Sequence, residues 1–146
     1  LEFRFLRNNI HIRFIQQAVV THPVRKANWG ISLKEQKKAM YNALLYKKHP
    51  DLFRKKIYRH PFWNYYAMTL LVILGFTAAF AGWQYIMITA FSGWLVLLTS
   101  FILKRLKGTS RSLRHIAEMI ITSVLIPFLS VYWTLYGSYK FKSRLL

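Results

Sequence analysis

A run of 42 residues from Phe62 to Leu103, without one Asp, Glu, Lys or Arg, constrains this chain more than any other feature. Roughly 20 apolar residues let a helix cross a bilayer, so the run has room for two crossings. It excludes a simple soluble domain, and the 54% apolar content of the chain excludes a disordered one. The absence of cysteine from the sequence excludes a disulfide-stabilised scaffold.

We expect this run to form a transmembrane hairpin, with spans at about 62–82 and 86–103 and a tip at Gly82–Tyr85. Aromatic side chains border the first span at both ends, as amphipathic rings do in the headgroup layer. Because cations stay on the cytoplasmic side, both basic flanks are predicted to be cytoplasmic and the uncharged tip external. The flanking cations are Lys55, Lys56, Arg59, Lys104, Arg105 and Lys107.

A third apolar segment, residues 116–136, has Glu118 near its start and Pro127 in its middle. Cations lie at both of its ends, so charge bias does not orient it. Two interpretations stay open: a third crossing, or a helix broken at Pro127 that lies in the interface or re-enters from the cytoplasmic side. Arg114 lies four residues before Glu118, which predicts an ion pair along the helix.

Residues 32–61 carry 9 Lys and Arg and only 2 acids. Ser32 and Glu35 have the spacing of a capping box, which predicts a helix start, and His49-Pro50 predicts its end. An amphipathic basic helix before a membrane span suits the headgroup layer, so anionic lipid headgroups are expected partners. Since the membrane flanks already account for the cations, the net charge of +18 does not indicate nucleic-acid binding.

Residues 1–31 have a different pattern. Alternation in Ile10–Ile15 and the branched residues of Ala18–Thr21 predict two strands, the second ending at His22-Pro23. About thirty residues cannot bury a core alone, and the chain does not begin with Met. We therefore expect this region to be the end of an α/β domain in a longer protein.

The sequence lacks local motifs for common chemistry: it has no nucleophile elbow, no P-loop and no Cys or His pair at metal-binding spacing. A complete active site is therefore not expected within this chain, and catalytic residues are expected upstream of Leu1. The acids are scattered along the sequence, at Glu2, Glu35, Asp51 and Glu118.

Three stretches of the N-terminal region, Leu1–Leu6, Ile12–Phe14 and Ala18–Arg25, together resemble the end of the catalytic domain of glycosyltransferase family 2. In that family a Glu-Asp pair precedes an Asp-Leu-x-x-Arg stretch, which a turn, a strand and a Val-x-His follow. Leu1 and Arg4 match the Leu and Arg of that stretch, and the acidic pair would lie just before Leu1.

Two later stretches extend the resemblance to bacterial membrane-bound members of the same family. Tyr41–Arg54 is similar to their juxtamembrane stretch, and Ser123–Gly137 is similar to a segment near their C-terminus. Processive members carry Gln-x-x-Arg-Trp after the catalytic domain. Gln36–Met40 occupies a comparable place without the Arg-Trp, which favours transfer of single sugars over polysaccharide synthesis.

This resemblance implies transfer of a sugar from a nucleotide-sugar donor to a membrane-associated, lipid-linked acceptor. It also implies Mg²⁺ or Mn²⁺, held by an Asp-x-Asp motif upstream. On this interpretation Arg4 and Arg25 bind substrate, since guanidinium groups suit phosphates, and His22 contacts the cation or the donor diphosphate. Solvated or scaffold roles are the alternative for all three residues.

The expected architecture is a mostly α-helical membrane protein of the bacterial inner membrane, multi-pass, with its catalytic side cytoplasmic. Four regions compose it: the end of a truncated α/β, GT-A-like domain (1–31), interfacial basic helices (32–61), a two-helix transmembrane hairpin (62–103), and a basic loop with a third apolar helix and basic tail (104–146). The alternative is a small non-catalytic membrane protein that acts as an interaction or assembly subunit.

Overall fold

The computed structural model describes residues 2–10, 13, 15–21, 23, 28–57, 62–110 and 112–143, and for Glu2 and Arg4 the backbone alone. Most of these residues are helical, which confirms the mostly α-helical prediction, and none of them lies in a β-strand. The helices are α1 (Glu2–Arg7), α2 (Ile31–Glu35), α3 (Met40–Lys48), α4 (Pro50–Lys56), α5 (Trp63–Phe80), α6 (Gln84–Leu106) and α7 (Leu113–Lys140), with a 3-10 helix, Gln36–Ala39, between α2 and α3.

Three of these helices, α5, α6 and α7, are long and apolar enough to cross a membrane. This supports the prediction of a membrane protein. The ends of α5 and α6 fall within three residues of the two spans that the charge-free run predicts. The pair of apolar helices is therefore confirmed as a feature of the fold.

Helices α5 and α6 pack against each other as an antiparallel pair. The rings of Tyr65 and Phe101 have centroids 5.4 Å apart, and those of Phe76 and Phe91 are equally close nearer the turn. Gly75 permits this approach, because a Cβ there would lie 2.9 Å from Cζ of Phe91. Small residues commonly allow such close contact between membrane helices.

A tight turn at residues 81–83 joins the two helices. Gly82 adopts a φ of 76°, a left-handed conformation that glycine reaches without a Cβ clash. The backbone N–H of Trp83 donates to the carbonyl of Ala78 at 2.8 Å, which closes the end of α5. The chain thus reverses within three residues at the predicted tip.

Helix α7 is continuous across Pro127. Of the two open interpretations, the one with a helix broken at this residue is therefore wrong. Proline lacks the N–H that would bond to the carbonyl of Ser123, and in isolation this weakens a helix. Here Pro127 is itself buried between Ile126 and Ser130, which are also buried. Packing of this buried face holds the helix where its own backbone bonding is weakest.

Helix α2 begins two residues earlier than the capping box predicts, since Ser32 as the N-cap would place the first helical residue at Leu33. Its N-cap is Gly30, with a φ of 73°, and no side chain caps the helix. Ser32 therefore lies inside the helix, where its Oγ is buried without a hydrogen-bond partner among the described residues, and Glu35 pairs with Lys38 instead. The helical segment ends at His49 as predicted, and Pro50 starts α4 at a position where a missing N–H costs nothing.

The two predicted strands are not observed among the described residues of 10–15 and 18–21, which form turns and irregular backbone. A strand needs a neighbour for its ladder of hydrogen bonds, and none of the described residues forms such a ladder with this segment. Its side chains are accordingly exposed, 83% in the case of Val19. That this region is the end of an α/β domain stays a prediction. In α1, the ring of Phe3 packs edge-on against that of His49, with centroids 5.6 Å apart.

Candidate functional site

A polar junction lies where the N-terminal segment meets the apolar helices; it consists of Gly30, Arg105, Glu118, Thr122 and Ser123. Arg105 belongs to the last turn of α6 and is half-buried. Its Nη1 donates to Thr122 Oγ1 at 2.8 Å and to Ser123 Oγ at 2.7 Å. Both hydroxyl residues are fully buried, so the guanidinium satisfies groups that water does not reach.

Glu118 forms the second half of this junction. Its Oε1 accepts a hydrogen bond of 2.7 Å from the backbone N–H of Gly30, at the residue that caps α2. The carboxylate also interacts electrostatically with Arg105. Arg114, the predicted ion-pair partner, is exposed. That prediction is corrected here: Glu118 is used for a contact across the fold rather than along its own helix.

A second set of contacts attaches the helical segment 31–48 to α7. We call this segment, together with α4, which packs on α3, the basic layer. The ammonium of Lys37 lies 5.8 Å from the ring centroid of Trp133, a cation–π distance. Further along, Lys47 Nζ donates to the carbonyl of Phe141 at 2.9 Å, and the ring of Tyr41 contacts that of Phe141 at 6.3 Å. Residue numbers rise together in both partners, so the basic layer follows α7 in the same direction.

The site residues predicted from sequence fall mostly beyond these contacts. Arg4 lies in α1, and its backbone is described. His22 and Arg25 lie outside the described residues. Their roles in substrate and cation binding stay predictions. Within the described part of the chain, no group of three His, Cys, Asp or Glu side chains is arranged to hold a metal ion.

Sequence reasoning missed the junction because its members looked ordinary one at a time. In the sequence, Arg105 is one of several cations that flank the hairpin, and Gly30 has no assigned role. The signal lay in the Thr122-Ser123 pair, since hydroxyls in an apolar helix often bond across helices. Together with an acid one turn earlier, that pair indicates a buried polar partner on a neighbouring element.

The arrangement can bind and orient groups through hydrogen bonds. What the junction does is join three parts of the chain through charge-assisted hydrogen bonds, which are among the stronger polar contacts in proteins. Comparisons with protein-family models, with curated proteins and with solved structures found no match for this chain.

Proposed function

We propose that this chain is the C-terminal, membrane-anchoring part of a glycosyltransferase that moves a sugar from a nucleotide-sugar donor to a lipid-linked acceptor. The catalytic domain would precede Leu1, as the family resemblance implies. The observation that carries the proposal is the bond from Gly30 N–H to Glu118 Oε1, which ties the segment after the resembling stretch to the apolar helices. A catalytic domain joined at this point would be held at a fixed height above the bilayer.

The proposal includes an orientation for α7: it lies along the cytoplasmic membrane surface instead of crossing. The basic layer accompanies α7 from Glu118 to Phe141, which at 1.5 Å per residue is about 34 Å, more than the roughly 30 Å of the hydrocarbon core. A crossing would draw the lysines of α2, the 3-10 helix and α3 into that core, at about 2.5–3.5 kcal/mol each near its centre. These lysines are Lys34, Lys37, Lys38, Lys47 and Lys48, all exposed.

The side chains of α7 support this orientation. Its buried residues, among them Ser123, Ser130 and Gly137, share one face of the helix. The opposite face is apolar and exposed, and includes Leu125 and Tyr132. A helix with one face packed on a basic layer and the other apolar is suited to lie in the interface.

This geometry would assist transfer by reducing the search between enzyme and acceptor. A lipid-linked acceptor carries its reactive group in the headgroup layer, and the basic layer would hold the catalytic domain at the same level. Restricting both partners to one plane lowers the entropic cost of their encounter. Arg4 and Arg25 would bind the phosphates of donor or acceptor, and His22 would contact Mg²⁺ or Mn²⁺.

The test uses the full protein that contains this chain. Its sequence before Leu1 should carry Asp-x-Asp and Glu-Asp, and membranes containing it should transfer labelled sugar from a nucleotide-sugar to a polyprenyl phosphate when Mn²⁺ or Mg²⁺ is present. His22→Ala should abolish that transfer, whereas His11→Ala, a nearby histidine without an assigned role, should not. Absence of the upstream motifs and of transfer would instead indicate a non-catalytic assembly subunit.

A further inference from the structure

We infer that a cationic depression at the C-terminal end of α7 binds the phosphate of an anionic lipid headgroup. The depression has a volume of about 550 Å³ and is lined by Ser138, Tyr139, Lys140, Lys142 and Ser143. It is separate from the polar junction, and its ligand needs no sugar-transfer activity. Failure of the proposed function would therefore not overturn this inference, and failure of this inference would not overturn the proposed function.

The lysines of this depression are available for an anion. Lys140 Nζ lies 5.8 Å from the ring centroids of both Tyr136 and Phe141. Among the described residues, the one ion pair with nitrogen and oxygen within 4 Å joins Lys38 and Glu35, which lie on other elements. Lys140 and Lys142 therefore pair with none of the described acids. Lys47, which donates to Phe141 O, brings a third cation close to this end of α7.

Two hydroxyl groups at the same place lack hydrogen-bond partners. The Oγ atoms of Ser138 and Ser143 are buried and have none among the described residues. A buried hydroxyl without a partner costs free energy, and a phosphate oxygen is a strong acceptor that would satisfy it. Lysines beside unpaired hydroxyls form a donor set typical of phosphate recognition.

The backbone supports an anion at a helix end that ordinarily repels one. The last carbonyls of a helix carry partial negative charge. Here those of Gly137, Ser138 and Tyr139 accept the N–H groups of Phe141, Ser143 and Lys142, at 3.0, 2.9 and 3.2 Å respectively. These carbonyls therefore already have donors and need none from the side chains of Lys140 and Lys142.

Lys142 adopts a conformation that favours glycine. Its φ is 48°, at the position just after the helix where a left-handed glycine is usual. The other left-handed residues of the described chain are Asn9 and three glycines, at residues 30, 82 and 108. A lysine costs roughly 1 kcal/mol more than glycine there, and such strain concentrates at binding sites.

The surroundings favour a lipid over free phosphate. Tyr139 lines the depression and is 86% exposed, and it continues an exposed apolar face through Tyr136, Leu135 and Tyr132. A phosphate in the depression would thus have an apolar surface beside it for its acyl chains. Free phosphate would make no use of that surface.

The test is a titration of the full chain in neutral detergent with short-chain phosphatidic acid, followed by the rise in Tm. Lys142→Gly removes one cation while relieving the strained φ. It should leave the lipid-free Tm unchanged or higher and weaken phosphatidic acid binding about fivefold, as expected for one cation near an anionic surface. The double variant with Lys140→Gln should weaken binding about 25-fold.

Lys55→Gln, an equally exposed cation on α4, is the matched control and should bind like the unmodified chain. Equal losses for Lys55→Gln and Lys142→Gly would mean attraction to net charge alone and would overturn the inference. So would equal stabilisation by phosphatidylcholine. A Tm rise with inorganic phosphate that matches that with phosphatidic acid would assign the depression to free phosphate instead.

Discussion

At Gly137 the backbones of α7 and α3 come into direct contact. A Cβ built on this residue would overlap the carbonyl oxygen of Met40 and lie 2.7 Å from its Cα. The neighbouring atoms are backbone, so they cannot yield as the end of a flexible side chain would. Gly93 in α6 differs, because a Cβ there would meet only Leu71 Cδ1 at 3.6 Å, an ordinary contact distance.

We predict that Gly137→Ala lowers the free energy of unfolding by about 1–3 kcal/mol, the usual cost of overpacking, despite the better helix propensity of alanine. Gly93→Ala, with room for its methyl group, should be neutral or slightly stabilising. Denaturation of both variants by SDS in mixed micelles measures the difference. Equal stabilities would mean that α3 and α7 are not in contact at this residue.

At the scale of elements, the polar junction joins the N-terminal segment, α6 and α7. Arg105 and Glu118 both make contacts between elements rather than within one helix. Each hydrogen bond to a charged group contributes about 1.5–3 kcal/mol where it is protected from water. The junction therefore sets how α2 starts and where it lies on α7.

Glu118→Ala is predicted to destabilise the chain by about 1–3 kcal/mol, because it leaves Gly30 N–H without its acceptor. Glu118→Gln, which keeps an oxygen at that place, should lose less. Glu35→Ala removes an exposed ion pair with Lys38 and should change stability by less than about 1 kcal/mol. Thermal unfolding in detergent ranks the three variants, and an unchanged Tm for Glu118→Ala would show that the bond contributes nothing.

The elements that could be predicted from the sequence are those whose cause is local. The charge-free run marks α5 and α6, and His49-Pro50 marks the end of α3. The start of α2 was misplaced because a contact with Glu118, far along the chain, fixes Gly30 as the cap. The contact between Met40 and Gly137 does not affect the hydrophobic periodicity of either helix. The packing of the basic layer on α7 could therefore not be predicted from the sequence.

At the scale of the whole molecule, the hairpin and the basic layer make different demands on their surroundings. Exposed side chains of α5 and α6, such as Phe80 and Leu70, are large and apolar and require lipid. The lysines of the basic layer require water or headgroups. Helix α7 contacts both parts, and a position along the membrane surface satisfies both.

Single cysteines test this arrangement cleanly, because the chain has none of its own. In vesicles, Ser110→Cys and Lys142→Cys are predicted to react with an impermeant maleimide from the same side. Ala81→Cys, in the hairpin turn, should react from the opposite side. If Lys142→Cys and Ala81→Cys react from the same side, α7 crosses the bilayer and the proposed orientation is refuted.

The turn between α5 and α6 has a consequence for how the hairpin enters a membrane. Moving one elementary charge through a potential of 100 mV is worth about 2.3 kcal/mol. None of residues 62–103 carries a formal charge, so no charge traverses the electric field when the hairpin inserts. We therefore expect insertion of the hairpin to be neither driven nor opposed by the membrane potential.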